Sequence, residues 1–379
     1  MKKKILFVCA HRPDRSPSQR FRFEQYIPHL TENGWDCKIS FLLYPEEDKK
    51  FYQKTHPPLV KAWILLKALG RRFKDVATAG QYDLIFIQRE AFFLGNIFFE
   101  KALAKRARKG MIFDFDDSIF LHQKSDFNPN RKFQWLKRPE KTKDIIKISS
   151  LIFAGNQYLA DYSLSYNPSV VIIPTTIDTK EYFPAPPVKN THKVCVGWSG
   201  SFSTVIHFET ILKALKKIKE EFGERVEFRL IGDGNYVNEA LELKGLPWKK
   251  ETELDDLRYI DIGIMPLPDD EWAKGKCGLK GLQYMGLGIP TIMSPVGVNT
   301  EIIQDGVNGF LASSTEEWYE KIKILIQDAA LRKKFSEEGR SIVEERYSID
   351  AWKDEYLKLF NTLYKGNLLL NTTTTKVLL

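Results

Sequence analysis

At 379 residues the chain is long enough for two to three domains of ~150 residues each, and its 43% hydrophobic and 13% aromatic content excludes a disordered or fibrous protein. The 57 Lys and Arg against 49 Asp and Glu leave a formal net charge of +8. That mildly basic balance suits anionic small molecules or lipid headgroups and argues against nucleic acid as a partner. Cys9, Cys37, Cys195 and Cys277 stand far apart without a CxxC pair, so neither a zinc site nor a disulfide framework is indicated.

Lys2-Lys3-Lys4 and the apolar residues 5–10 are too short for a signal peptide and end at His11-Arg12, so they read as a first buried strand. No apolar run approaches the ~20 residues of a spanning helix, and the expected location is cytoplasmic, peripheral at most to the inner face of the plasma membrane. Strands are predicted over 4–9, 37–43, 83–88, 111–115, 150–154 and 170–174. Between them, 19–30, 59–76, 96–109 and 157–166 carry apolar residues at helical spacing. The alternation is that of a doubly wound parallel sheet.

Phe183-Pro184-Ala185-Pro186-Pro187 interrupts the pattern, because proline removes backbone donors and biases its predecessor against helix. Domains are therefore expected over 1–185 and 186–346. In the second, strands at 194–198, 226–231, 262–266 and 291–293 alternate with helices at 207–221 and 278–286. A helix over 347–366 follows, with Trp352, Tyr356, Leu359 and Leu363 on one stripe, and the Thr-rich 367–379 reads as a disordered tail. The fold class is α/β, two Rossmann-like domains with the carboxyl ends of both sheets facing a central cleft, where open parallel sheets bind ligands.

The densest chemical signal runs from Asp261 to Pro290. A buried strand ends at Pro266, a basic glycine-containing loop follows through Lys274, Lys276 and Gly278, and a helix opens with Leu279, Lys280 and Gln283. Backbone N–H groups at a helix start beside lysines suit a diphosphate, and Gln283 lies one turn in, within reach of a ribose hydroxyl. Glycines serving only turns, with solvated lysines, are the plainer alternative. Gly197-Trp198-Ser199-Gly200-Ser201, Gly232-Asp233-Gly234 and Ser294-Pro295-Val296-Gly297 close other strands with small residues, which lets a ligand approach the backbone.

With WSGS, LIGDG, DIGIMPL, GLQYMGLGIP, SPVG, EIIQDGVNGFL and RYSIDAW in that order from Val194 onward, the chain resembles the nucleotide-sugar-binding half of a family 4, GT-B-type retaining glycosyltransferase. The first half resembles the acceptor domain through its opening strand, Ile112 to Asp117 and Ile173 to Asp178. The resemblance implies a UDP- or GDP-linked sugar donor, a glycan or lipid-linked acceptor, a role in polysaccharide or glycoconjugate assembly, no further cofactor, no catalytic metal, and a last helix that packs on the first domain. The small-residue strand ends and the basic helix start make Gly200, Ser201, Gly232, Asp233, Gly234, Lys276, Gly278, Leu279, Lys280 and Gln283 the donor-binding candidates. Two departures stand out. The positions of the family's glutamate pair hold Gly275 and Gln283, and no basic pair follows Gly200, the next cation being Lys213. Lys276 or Lys280 is the expected replacement anchor, and Lys274 is expected to be solvated.

In the first half, Arg20 or Arg22 is expected to meet an anionic acceptor, with solvated arginines as the alternative, and Arg89 to contact phosphate. Asp116, Asp117 and His122 are the catalytic candidates. Asp114 joins them in an acidic strand end that serves either chemistry or loop capping. His29, His56 and His207 lack ligand spacing and read as structural. The helix 59–76 shows an apolar stripe of Trp63, Leu66, Leu69, Phe73 and Val76 beside Lys61, Lys67, Arg71, Arg72 and Lys74, with a second basic block at 105–109; it is either an anionic-membrane surface or a core helix with a solvated basic face. A sugar-nucleotide 2-epimerase and a non-catalytic nucleotide-sugar-binding protein remain as alternative functions.

Overall fold

The computed structural model describes residues 2–53, 56–122, 138–186 and 192–367. The chain folds as two compact units. One is Met1–Thr175 together with the chain from Trp352 onward, and the other is Thr176–Ala351.

The first unit is built on six strands, β1 (Lys3–Cys9), β2 (Trp35–Phe41), β3 (Leu84–Gln88), β4 (Gly110–Phe115), β5 (Leu151–Ala154) and β6 (Val170–Ile172). They are parallel in the order β2-β1-β3-β4-β5-β6. Central β3 is buried at every residue, as expected of a parallel strand covered on both faces. The helix Ile349–Lys365 lays Tyr356, Phe360 and Leu363 into this core. Phe360 lies 6.3, 6.1 and 6.0 Å from the rings of Phe7, Phe86 and Phe153, and Tyr356 stacks on Tyr26 at 4.2 Å. Phe360, rather than the expected Leu359, carries the stripe, because positions 356, 360 and 363 follow the i, i+4, i+7 spacing of one face. Those contacts are why the last helix belongs to the first unit.

The expected single helix over 19–30 is instead three short pieces, Pro17–Arg20, a 3-10 turn at Glu24–Tyr26, and Ile27–Glu32. Pro28 stands in the first turn of the third piece, where a missing backbone N–H is tolerated, and the chain turns at residues 21–23, beside the arginines.

The second unit contains β7 (Val194–Ser199), β8 (Val226–Ile231), an antiparallel pair β9 (Val237–Asn238) and β10 (Leu243–Lys244), then β11 (Ile262–Met265), β12 (Thr291–Met293) and β13 (Phe310–Leu311). Its main sheet is parallel in the order β13-β12-β11-β7-β8. Trp198, Phe208, Leu215, Ile218, Ile264, Trp318 and Ile322 form the core over it. The boundary falls at Thr175/Thr176, ten residues before the one expected from the prolines. The chain has already joined the second unit there, since the Ile177 N–H donates to Tyr347 O at 2.7 Å, Tyr182 is buried, and Arg340 donates to Thr179 O at 2.9 Å. The prolines break the backbone without dividing the cores. Residues 187–191 of the expected linker, and 368–379 of the expected tail, lie outside the described residues.

Candidate functional site

Because the second sheet is parallel, the loops after β7, β8, β11 and β12 all leave its carboxyl edge. The first two loops touch. Gly200 N–H donates to Ile231 O at 2.9 Å. Gly232, at φ +127°, passes so close that a Cβ there would sit 1.7 Å from Gly200 O, so only glycine fits. Ser201 opens a short turn and its hydroxyl lies 2.9 Å from that of Ser203. Asp233 accepts the Asn235 N–H at 3.0 Å, an Asx turn that spends one carboxylate oxygen on the backbone, and Gly234 packs against Pro247.

The third loop ends at Gly278, which caps the helix Leu279–Gly286 with φ +70° and no side chain. A bare cap leaves the opening N–H groups of a helix facing outward with no side-chain oxygen in front of them. Tyr284 ties this helix to β7, its hydroxyl oxygen accepting the Ser199 N–H at 2.7 Å. Lys280 places its ammonium 4.6 Å from the centroid of the buried Trp198 ring. Lys276 and Leu279 are half-buried just before and at the helix start. Lys274 is bound to Glu271 at 2.7 Å, and that partner raises its pKa.

Gln283 is drawn inward. Its amide nitrogen donates to the Tyr182 hydroxyl at 3.2 Å and to Glu253 Oε1 at 3.3 Å. Glu253, itself buried, also receives the Trp248 Nε1–H at 3.2 Å and the Tyr182 O–H at 3.1 Å. Gln283 thus sits in an interior network, with its nitrogen committed there and not to a ribose. The sequence offers no signal for Glu253, which stands in the charged run Lys249 to Asp256 that reads as surface.

In the first unit, both arginines of the β1 junction turn inward. Arg22 is fully buried with Asp114, its Nη2 2.5 Å from Oδ1, and it also donates to Ile173 O. Burial pushes Asp114 up and the Arg22 charge opposes that push. The Arg20 side chain is almost buried, 3.8 Å from Asp14 and over the Phe21 ring. Neither arginine is solvated, because the helix stops at Arg20 and the chain turns through residues 21–23, pointing both side chains into the unit.

Arg89 directly follows β3 with φ +60°, a left-handed conformation unusual outside glycine. Its Nε donates to Asp116 at 2.8 Å and its Nη2 to Asp117 at 3.1 Å. The expected phosphate contact and two of the expected catalytic carboxylates are therefore partners. His122 is exposed and pairs with Glu140 at 3.2 Å instead. Among the described residues no group of three or more His, Cys, Asp and Glu side chains is arranged to hold a metal ion.

A group overlooked in the sequence lies at the end of β1. Gln19 clamps the His11 peptide, accepting its N–H and donating to its carbonyl, both at 2.8 Å. The imidazole is flanked by Tyr52 and Phe93, at 6.1 and 6.5 Å between centroids. Its Nδ1 faces Asp48 at 4.0 Å, and Asp48 is held by Arg12 at 3.0 Å and Arg15 at 2.8 Å. Burial and the Arg15 charge bring His11 down to about 4, so its ring is neutral at pH 7. The available signal was a histidine with two nearby arginines immediately after the first strand.

Residues 193–328 match the family described as Glycosyl transferases group 1. An uncharacterized glycosyltransferase of Methanocaldococcus jannaschii is 28% identical over 187 residues, 46% of this chain and 46% of that protein; the match thus spans about half of that relative. Among solved structures, sucrose-phosphate synthase from Thermosynechococcus elongatus aligns with TM-score 0.67 and 13% identity over 96% of this chain and 100% of that one. Anabaena HepE in complex with UDP and glucose aligns with TM-score 0.65 and 15% identity over 95% and 100%. A glycosyltransferase from Rickettsia africae aligns with TM-score 0.65 and 14% identity over 96% and 99%.

Proposed function

We propose that this chain, whose fold is GT-B and whose residues 193–328 match the group 1 glycosyltransferases, transfers a sugar, with retention at the anomeric carbon, from a UDP- or GDP-linked donor to a hydroxyl of a glycan or lipid-linked acceptor. The observation that carries this reading is the carboxyl edge of the second sheet. There a close-packed Gly200–Gly232 pair, a bare helix start at Gly278 and an ammonium held over Trp198 supply the backbone and cationic groups that a diphosphate needs. The UDP and glucose named with the Anabaena HepE structure support the donor class.

In the reaction the bond from the anomeric carbon to the β-phosphate oxygen breaks and the acceptor oxygen bonds to that carbon. The hydroxyl proton passes to the departing diphosphate. Negative charge grows on the diphosphate as the bond stretches, and prepositioned N–H groups with Lys276 or Lys280 stabilise it without reorganisation. No separate nucleophile and no metal ion is called for. A cytoplasmic role in cell-surface polysaccharide or glycoconjugate assembly fits this chemistry.

The replacement of both family carboxylates by Gly275 and Gln283 favours a second reading, a nucleotide-sugar-binding protein without turnover. Incubating the full chain with a panel of UDP- and GDP-sugars, with and without lipid-linked acceptors and with a chelator throughout, separates the readings. Acceptor-dependent nucleotide release with retained configuration is expected. Binding without release supports the second reading, and epimerised donor would assign a 2-epimerase.

A further inference from the structure

The helix Pro58–Thr78 is amphipathic in the inverted sense. Its buried residues are Ile64, Ala68, Arg72, Asp75 and Val76, so the inner face carries an ion pair, Arg72–Asp75 at 2.7 Å. Arg72 also donates to Ala91 O and Cys9 O, both at 2.5 Å, and Ser40 donates to Asp75 at 2.6 Å. The outer face is apolar: Leu59 is 83%, Trp63 60%, Leu66 58% and Phe73 50% exposed. Phe98, 54% exposed, begins the next helix and packs edge-on against Phe73 at 6.1 Å. Apolar side chains this large, contiguous along one helix, mark an interaction surface and not random exposure. Of the residues counted with the stripe in the sequence, Val76 is buried and Leu69 half-buried, and Arg71 is spent on Glu47 at 2.7 Å.

Going beyond the proposed transfer reaction, we infer that this face docks the protein on an anionic lipid bilayer. Three observations select that occupant. Lys67 and Lys74 are exposed beside the apolar row, Lys67 also lying 3.8 Å from Glu47, while the helix's one acid, Asp75, is turned inside. Lys101, Lys105 and Arg106 continue the basic rim on the helix Phe98–Arg106. A second copy of the chain would bring the same cations face to face, which disfavours a symmetric dimer through this surface, whereas anionic headgroups neutralise them. From Leu59 to Phe73 the row spans about 21 Å at 1.5 Å per residue. It combines Trp63 with Leu and Phe, the side chains that settle at the depth of the headgroups. No described helix is long and apolar enough to cross a membrane, so the contact is with the surface.

The experiment is co-sedimentation of the full chain with phosphatidylglycerol vesicles and, separately, phosphatidylcholine vesicles at low and high salt. It needs no sugar donor, so it succeeds or fails independently of the transfer reaction. Binding to phosphatidylglycerol at low salt that is absent on phosphatidylcholine and weakens at high salt is expected. The double variant Trp63→Ser, Leu66→Ser, which changes only exposed side chains and is checked by circular dichroism, should bind at least tenfold more weakly. The triple variant Lys67→Gln, Lys74→Gln, Lys101→Gln, at exposed positions, should lose the preference for phosphatidylglycerol. No binding at low salt, or undiminished binding by the double variant, overturns the inference. So does a lipid-free dimer in sedimentation velocity that the double variant dissolves, which would assign the face to a second copy.

Discussion

The ammonium of Lys280 is held 4.6 Å above the ring of buried Trp198, which joins the first turn of the helix Leu279–Gly286 to the end of β7. A cation resting on an aromatic face keeps its charge while its position is fixed, and this one is fixed beside the close-packed Gly200 and Gly232 backbones. Lys280→Met should therefore lower turnover more than donor affinity, because the contact strengthens as the leaving group gains charge. A charge-assisted bond of about 1.5–3 kcal/mol corresponds to roughly a ten- to hundredfold loss. Lys276→Met is expected to show a loss of the same kind if it shares the anchor. Lys274→Met serves as control, since Lys274 is already bound to Glu271. Normal kinetics in both the Lys276 and Lys280 variants would place the anchor elsewhere.

Arg89 pairs with Asp116 and Asp117 at a backbone φ of +60°, where an L side chain costs roughly 1 kcal/mol. Strain maintained at the end of a strand points to a function for the side chain. Arg89→Gly removes the guanidinium and the strain together, whereas Arg89→Ala removes only the guanidinium. Urea unfolding should find the glycine variant more stable than the alanine variant by about 1 kcal/mol. Transfer activity should fall in both alike. Full activity in either would make the Arg89 bridge purely structural.

The buried pair Arg22–Asp114 carries a different expectation. Arg22→Met strands a carboxylate that is already pushed up by burial, and removing one member of a buried ion pair costs about 3–5 kcal/mol. The double variant Arg22→Met, Asp114→Leu leaves no uncompensated charge and should recover most of that loss. Chemical denaturation of the two variants beside the parent checks it. Equal destabilisation by both would mean that the Ile173 carbonyl contact, and not the charge, is what Arg22 supplies.

The parts of this molecule legible in its sequence are those governed by local pattern. Strand β3 reads directly because a parallel strand buried on both faces is apolar throughout, and the last helix reads because Tyr356 and Leu363 keep helical spacing. The orientation of Arg20 and Arg22 was not legible from spacing, since a periodic stretch is divided into three short pieces with a turn at residues 21–23. Gln283 finds its partners 30 and 101 positions away, at Glu253 and Tyr182. His11 meets Asp48 only because the strand β1 ends where the helix Pro45–Tyr52 begins. Such pairings depend on tertiary placement, and no local periodicity encodes them.

His11 gives the protein a predictable acid sensitivity. Its folded pKa is lowered from 6.5 to about 4, first by burial and then by Arg15, with Asp48 opposing. An unfolded histidine binds its proton near pH 6.5, so between that pH and about 4 the unfolded chain holds a proton that the folded chain does not. Stability from this group is therefore fully present above pH 6.5 and declines as the pH falls toward 4, by up to about 3 kcal/mol. The slope belongs to His11 if His11→Asn flattens it, because asparagine retains polarity without titrating in that range. Unfolding free energies at pH 7 and pH 4.5 for both proteins provide the comparison, with the imidazole titration followed by proton NMR on the parent. A midpoint near 6.5 in the folded protein would show that Asp48 closes onto Nδ1 strongly enough to offset burial, and the pH slope assigned to His11 would vanish with it.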